Sequence, residues 1–259
     1  MKKSVLIKLY AGLGNQLFQY IYGHYLSKNG TKVKFLQDTK VDDLNSVFVI
    51  DKKTLKECKY IRPNKIFAFI LKFYHKICCR NYYTGYYQDK KYALDLGVDL
   101  QEILQFKNAE EYKKTKEYQE VLKSESVSLH IRGGDYNKEP DFANICTKEY
   151  YAKAIGKILE KLPNASFFVF TNDIQYAKNI TQNFENMIYL NNDTFKRDPG
   201  FDLFLMTICK HSIIANSTFS WWGACLNFSV EQFVICPKEW KNSEPDLIDK
   251  FAFNECIKI

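Results

Sequence analysis

The sequence predicts an α/β protein built on parallel sheets, and three observations carry the prediction. The chain opens as strand, glycine-containing loop, helix, strand. Its C-terminal half alternates short β-rich runs with helical patterns. The residues that follow those runs are polar, small or charged, as expected where a doubly wound sheet binds ligands at its carboxyl edge.

At the N-terminus, Val5 to Leu9 reads as a short apolar strand, and Ala11-Gly12-Leu13-Gly14-Asn15-Gln16 as the loop. Gly12 and Gly14 most simply permit a tight turn. Leu17, Ile21 and Tyr25 then fall on one helical face up to about Lys28, and Val33 to Leu36 gives the next strand, a βαβ start. The loop lacks the third glycine of a dinucleotide fingerprint, which weighs against a nicotinamide site. Residues 38–125 show no clear alternation. Within them Lys52 to Arg80 concentrates basic and aromatic residues, and Glu102 to Lys123 is charged and helical in pattern. The domain boundary is expected near Ser124, giving domains 1–124 and 125–259.

Beyond it the expected strands are Val127 to Ile131, Phe167 to Phe170, Met187 to Leu190, Ser212 to Ala215 and Phe233 to Cys236. Helical patterns run over Lys148 to Leu162, Ile174 to Phe184, Phe201 to Lys210 and Ser220 to Phe228. The strand ends carry Arg132-Gly133-Gly134-Asp135, Thr171-Asn172-Asp173, Asn191-Asn192-Asp193 and Asn216-Ser217-Thr218. Polar loops are common, so each set alone is ordinary. Ser217 and Thr218, however, open a helix straight from a strand. There the free backbone N–H groups and the helix dipole favour an anion. With Arg132 ending another strand, the pattern fits a nucleotide-diphosphate site.

Composition sets outer limits. The 259 residues are 46% hydrophobic, enough for a real core, and the net charge of +7 favours anionic partners without choosing among them. No recognition motif supports a nucleic-acid partner. The sequence shows no secretory signal pattern and no run near the ~20 apolar residues of a membrane span. The eight cysteines include no C-x-x-C pair and read as free thiols. A cytoplasmic protein is expected. The nine Lys or Arg residues against one acid in Lys52 to Arg80 fit either a plain solvated basic face or peripheral contact with the inner face of an anionic membrane.

Four blocks in order resemble the α-1,2-fucosyltransferases of glycosyltransferase family 11. They are Gly12-Leu13-Gly14-Asn15-Gln16-Leu17-Phe18-Gln19-Tyr20, His130-Ile131-Arg132-Gly133-Gly134-Asp135-Tyr136, Phe170-Thr171-Asn172-Asp173-Ile174, and Ala215 to Asn227 followed by Val234-Ile235-Cys236-Pro237-Lys238. A smaller match is Tyr86-Tyr87-Gln88-Asp89-Lys90-Lys91-Tyr92. The resemblance implies a GT-B-like fold, two Rossmann-like domains facing a central cleft, with the acceptor on the N-terminal side and the GDP-sugar on the C-terminal side. It implies inverting transfer of L-fucose from GDP-β-L-fucose to the 2-hydroxyl of a terminal galactose in an oligosaccharide or glycolipid. No metal and no cofactor is implied; GDP-fucose is a substrate.

Without a metal, Arg and backbone N–H groups must neutralise the leaving diphosphate. On the family pattern Arg132 pairs the β-phosphate through its planar fork. His130, two residues earlier on the same strand face, meets the ribose or guanine, the alternative being a core histidine. Ser217, Thr218 and Phe219 supply helix-start contacts, and Asn172 and Asp202 are further donor-side candidates. Asn15, with Gly14 and Gln16, is placed on the acceptor side, Asn15 touching the acceptor or transferred sugar. Asp135 is the best-placed carboxylate for the acceptor proton; bracing of Arg132, and proton transfer to the leaving phosphate, stay open. Two positions depart from the pattern. Gly133 stands where the family usually has a second Arg, and Cys225 stands for a Trp. Two other readings remain: transfer of another GDP-linked deoxyhexose, or a non-catalytic carbohydrate-binding protein. Trp221 and Trp222 read as packing anchors.

Overall fold

The structure, a computed structural model, describes residues 4–37, 44–50, 55–56, 82–134, 136, 138–190, 198–229 and 231–259. Asp135, Asn191 to Asp193 and, apart from the backbone of residues 55–56, the basic segment Lys52 to Arg80 lie outside the described residues. The chain divides into two units, Met1–Lys107 and Asn108–Ile259.

The first unit holds a four-stranded, all-parallel sheet of β1 (Ser4–Leu9), β2 (Lys32–Gln37), β3 (Leu55–Lys56) and β4 (Tyr82–Tyr83), in the order β3-β2-β1-β4. In β1, Val5, Ile7 and Leu9 alternate inward and are buried. Helix α1 (Leu13–Lys28) crosses from β1 to β2 and lays Leu17, Phe18 and Ile21 on that core. Asn29 and Gly30, the latter at φ +83°, close it, with Asn29 N–H donating to Tyr25 O. Among the described residues three short helices follow in the unit: α2 (Leu44–Val47), α3 (Lys90–Leu96) and α4 (Asp99–Ile103).

The second unit opens with α5 (Ala109–Tyr112) and α6 (Lys116–Lys123). The expectation of one helical stretch over Glu102 to Lys123 is corrected by these breaks. Phe106 leaves the helix to bridge antiparallel to Phe48, the two rings 4.7 Å apart. Thr115 then caps α6 by accepting from Tyr118 N–H. The division between units falls at Lys107/Asn108 rather than near 124, because α5 and α6 pack on a helix of the second unit, α9 (Pro199–Ile208). Tyr112 makes that join: its hydroxyl donates to Asp198, and its ring lies 5.3 Å from both Phe201 and Phe204.

The second unit's sheet has six parallel strands: β5 (Ser126–Ile131), β6 (Ser166–Thr171), β7 (Met187–Tyr189), β8 (His211–Ile213), β9 (Val234–Cys236) and β10 (Ile257–Lys258). Their order, β10-β9-β8-β5-β6-β7, is that of a Rossmann sheet. Helices α7 (Lys148–Leu159), α8 (Ile174–Thr181), α9 and α10 (Thr218–Cys225) connect them. Central β5 is buried along its whole length. Its odd residues, Val127, Leu129 and Ile131, join Phe167, Val169, Ile155 and Ile180 in one core cluster with α7 and α8. Its even residues, Ser126, Ser128 and His130, take the other face. That face includes His130, whose ring centroid is 6.0 Å from that of Phe219 on α10.

The strands and helices expected from the sequence in this half are all present, with ends shifted by a few residues. Three short strands, β3, β4 and β10, and helix α2 had no strong sequence signal. Trp221 and Trp222 are fully buried, and Trp221 Nε1 donates to Phe251 O at 2.7 Å, so both are packing anchors. Among the described residues no helix is long and apolar enough to cross a membrane.

Candidate active site

In the second unit the chain winds outward from β5 through β6 to β7. It then returns to the other side of β5 as β8 and winds on to β9 and β10. The direction reverses between β5 and β8, whose register pairs Val127 with His211 and Leu129 with Ile213. The helices that follow these two strands leave on opposite faces, opening a crevice at the carboxyl ends. Arg132 to Gly134 follow β5 there, and Ile214 to Ser217 follow β8.

The β8 side is fixed by side chains that the strands and helices bring in. Tyr150 on α7 donates to Ile214 O at 2.6 Å. Asn216 is buried, and its amide donates to Phe142 O at 3.4 Å and Trp240 O at 3.3 Å, so it ties loops together. Ser217 takes an extended conformation as N-cap of α10, but its hydroxyl makes no capping bond. The N–H groups of the helix's first turn, at Thr218, Phe219 and Ser220, have no intrahelical carbonyl to meet.

On the β5 side the loop is built around Gly133. Its N–H donates to Asn172 Oδ1 at 2.9 Å, and Asn172 Nδ2 donates back to its carbonyl at 3.3 Å. A Cβ at Gly133 would stand 2.8 Å from Tyr176 Cδ1 and 3.1 Å from Asp173 Cβ, so any side chain there requires Tyr176 to shift. Gly134 is left-handed, at φ +64°, and turns the chain away from β5. Asn172, expected as a donor contact, has its amide committed to this loop, while Asp173 caps α8 through Tyr176 N–H.

Arg132 sits with its guanidinium carbon 4.9 Å from the centroid of the Tyr136 ring, which stacks on Phe142 at 4.8 Å and 18°. A guanidinium is planar and can pair an anion through two of its N–H groups. His130 is 5% exposed; burial, with the nearby Arg132 charge second, pulls its pKa down to about 3. The imidazole is therefore neutral at physiological pH. Its Nδ1 is buried with no hydrogen-bond partner among the described residues, a cost of about 1–3 kcal/mol that a ligand hydrogen bond would relieve.

The remaining candidates are distributed differently. Asp202 does not begin α9. Asp198 caps that helix, accepting from Gly200 N–H at 2.8 Å, and Asp202 follows one turn later. In the first unit, Asn15 lies in the opening turn of α1 and accepts from Gln88 Nε2 at 2.6 Å. Gln16 is fully buried: its Nε2 donates to Ala11 O at 2.7 Å and its Oε1 accepts from Leu44 N–H at 3.1 Å. It braces the loop from inside, and Gly14 is likewise buried in the helix. The expected glycine turn is corrected as well: the left-handed residue is Ala11, at φ +66°, whereas Gly12 is extended at φ −67°. Sequence reasoning missed Tyr150, Tyr112 and Gln88, long polar side chains whose partners come from other elements.

Residues 7–251 match glycosyl transferase family 11. The chain is 32% identical over 276 residues to an alpha-1,2-colitosyltransferase of Escherichia coli, covering 93% of each protein. It is 29% identical over 287 residues to the O-antigen biosynthesis glycosyltransferase WbnK of Escherichia coli, covering 90% of this chain and 93% of that one. Among solved structures, POFUT1 in complex with GDP superposes with a TM-score of 0.56 at 12% identity, covering 91% of this chain and 98% of that chain. A glycosyl transferase family 9 protein from Veillonella parvula gives 0.56 at 12% identity, covering 99% and 85%. The structural likeness is one of fold, the GT-B-like α/β class.

Proposed function

The chain belongs to glycosyltransferase family 11, and we propose that it moves a 6-deoxyhexose, L-fucose in the leading reading, from its GDP-β-linked donor to the 2-hydroxyl of a terminal galactose. The observation that supports this most is that Arg132 and the N-terminus of α10 follow the two strands, β5 and β8, that flank the switch point. A cation with a bidentate edge and a row of helix-start N–H groups is what a departing diphosphate needs.

In this reading the acceptor oxygen attacks the anomeric carbon from the face opposite the diphosphate. The C–O bond to the β-phosphate breaks with inversion, and GDP leaves with the bonding electron pair. Arg132 and the α10 N–H groups stabilise the charge that develops on the phosphate oxygens, the contribution that grows between ground state and transition state. Neutral His130 offers Nδ1 to the nucleoside part of the donor. The acceptor proton passes to Asp135 or to the leaving phosphate. No metal enters this scheme.

One finding favours a second donor: the relative at 32% identity is named an alpha-1,2-colitosyltransferase. Colitose is fucose without its 3-hydroxyl. The deciding experiment offers the purified chain GDP-L-fucose and GDP-L-colitose in competition, with methyl β-D-galactopyranoside as acceptor. A site that hydrogen-bonds the 3-hydroxyl rejects the deoxy donor strongly, because its polar group would be left unpaired. Preferential fucosyl product supports the leading reading, preferential colitosyl product the second. Transfer of neither sugar counts against both.

A further inference from the structure

The first unit has a switch point of its own. Its chain winds from β1 outward to β2 and β3, then returns as β4 on the other side of β1. The segments after β1 and β4 therefore flank one crevice at the carboxyl edge. Three observations meet there. The Gln88–Asn15 hydrogen bond, 2.6 Å long, joins the segment after β4 to the first turn of α1. The rings of Tyr10 and Tyr86 come together from the two segments, centroids 5.2 Å apart and planes tilted by 37°. Each segment also holds a non-glycine residue in the left-handed region, Ala11 at φ +66° and Tyr87 at φ +51°.

Backbone outliers of this kind persist only where surrounding structure enforces them, and they concentrate at ligand sites. The enforcement here is visible. Tyr87 stacks on Tyr22 at 4.1 Å and 12°, and Tyr22 meets Tyr92 edge-on at 4.8 Å. Asp89 caps α3 through Lys91 N–H at 3.0 Å, fixing the chain just after Gln88. On the β1 side, Gln19 Oε1 accepts from Tyr10 N–H at 2.9 Å. With Tyr87 drawn inward, Tyr86 is left 46% exposed, an aromatic ring held on a rigid support without being part of the core.

A pyranose is matched by this combination. A β-galactopyranoside has one face of contiguous C–H groups and a rim of hydroxyls. Small-molecule sites pair an apolar aromatic wall with a few fixed polar groups. We propose that Tyr86 and Tyr10 form the platform on which the acceptor's galactopyranoside ring stacks, with Asn15 hydrogen-bonding its hydroxyls and Gln88 acting as the positioning residue that sets the Asn15 amide. This rests on the reading of the chain as a galactoside-modifying transferase. It adds Tyr10, Tyr86 and Gln88 to the acceptor side.

The test is saturation-transfer NMR on the full chain with methyl β-D-galactopyranoside, with acceptor kinetics and GDP calorimetry on the same samples. The wild type should saturate the ring C–H protons. Tyr86→Ala should raise the acceptor KM on the order of tenfold while leaving GDP affinity unchanged. Tyr86→Phe, which keeps the ring, should restore most of the acceptor affinity that Tyr86→Ala loses. Gln88→Ala should lower acceptor kcat/KM with GDP affinity intact. A folded Tyr86→Ala protein with an unchanged acceptor KM overturns the proposal, as does a wild type showing no saturation transfer. Loss of GDP binding in the wild type would strike the donor reading instead, and galactoside binding would remain measurable by itself.

Discussion

Asn172 holds Gly133 from both sides, accepting from its N–H at 2.9 Å and donating to its carbonyl at 3.3 Å. The residue next to Arg132 is thus clamped by an amide from the neighbouring strand end. On the proposed function, Asn172 acts on the donor site through this loop. Asn172→Ala should lower kcat/KM by about tenfold, the scale of a charge-assisted contact misplaced by loss of its support, with little change in acceptor KM. Asn172→Asp keeps one of the two bonds and should fall between. Steady-state kinetics of the three proteins checks this.

Gly133 is small because Tyr176 occupies the space beside it. Gly133→Ala should destabilise the protein by about 1–3 kcal/mol, the usual cost of forcing a contact in a packed site. The double variant Gly133→Ala with Tyr176→Ala should recover part of the overpacking loss. Urea unfolding of the single and double variants measures the coupling. Independent, additive costs would show that Tyr176 does not set the residue at 133.

Much of this was legible beforehand, for reasons that can be named. The central strands of the second unit announce themselves because β6 is continuously apolar over Phe167 to Phe170, while β5 alternates Val127, Leu129 and Ile131 with Ser126, Ser128 and His130. The helix start at Ser217 is written in a strand running directly into small hydroxyl residues. By contrast, Phe106 breaks a helical pattern by pairing with Phe48, far away in sequence. The left-handed turn falls on Ala11 although Gly12 stands next to it, and buried Gln16 pins the Ala11 carbonyl. The amides of Gln16, Gln88 and Asn172 read alike in sequence, and only their tertiary partners separate brace from site.

Arg132→Ala should leave the fold intact and lower turnover on the order of 10²-fold or more, the loss expected for removing a group that stabilises developing charge. Arg132→Lys should rescue poorly, because a point charge does not reproduce the planar fork or its seat over Tyr136. Turnover in the alanine variant near that of the wild type would take Arg132 out of the mechanism.

His130 carries a pH signature. Its folded pKa of about 3 lies below the unfolded value of 6.5, so the unfolded chain binds more protons between those limits. Stability is then fully present above pH 6.5 and falls as pH drops toward 3, by up to about 1.4 kcal/mol per unit for this one group. His130→Asn removes the titration. Unfolding free energies of both proteins at pH 7 and pH 5 should therefore differ in slope, the variant losing less. Equal losses would show that His130 is not held neutral.

The most direct test of the central claim is a single transfer reaction. The purified chain, stripped of metal and held in EDTA, is given GDP-L-fucose and methyl β-D-galactopyranoside, and the product linkage is read by NMR. The expected product is a deoxyhexose joined through an α bond to the galactose 2-oxygen, formed at the same rate when magnesium or manganese is restored. A product linked at another hydroxyl, or transfer that appears only when the metal is returned, would contradict the claim.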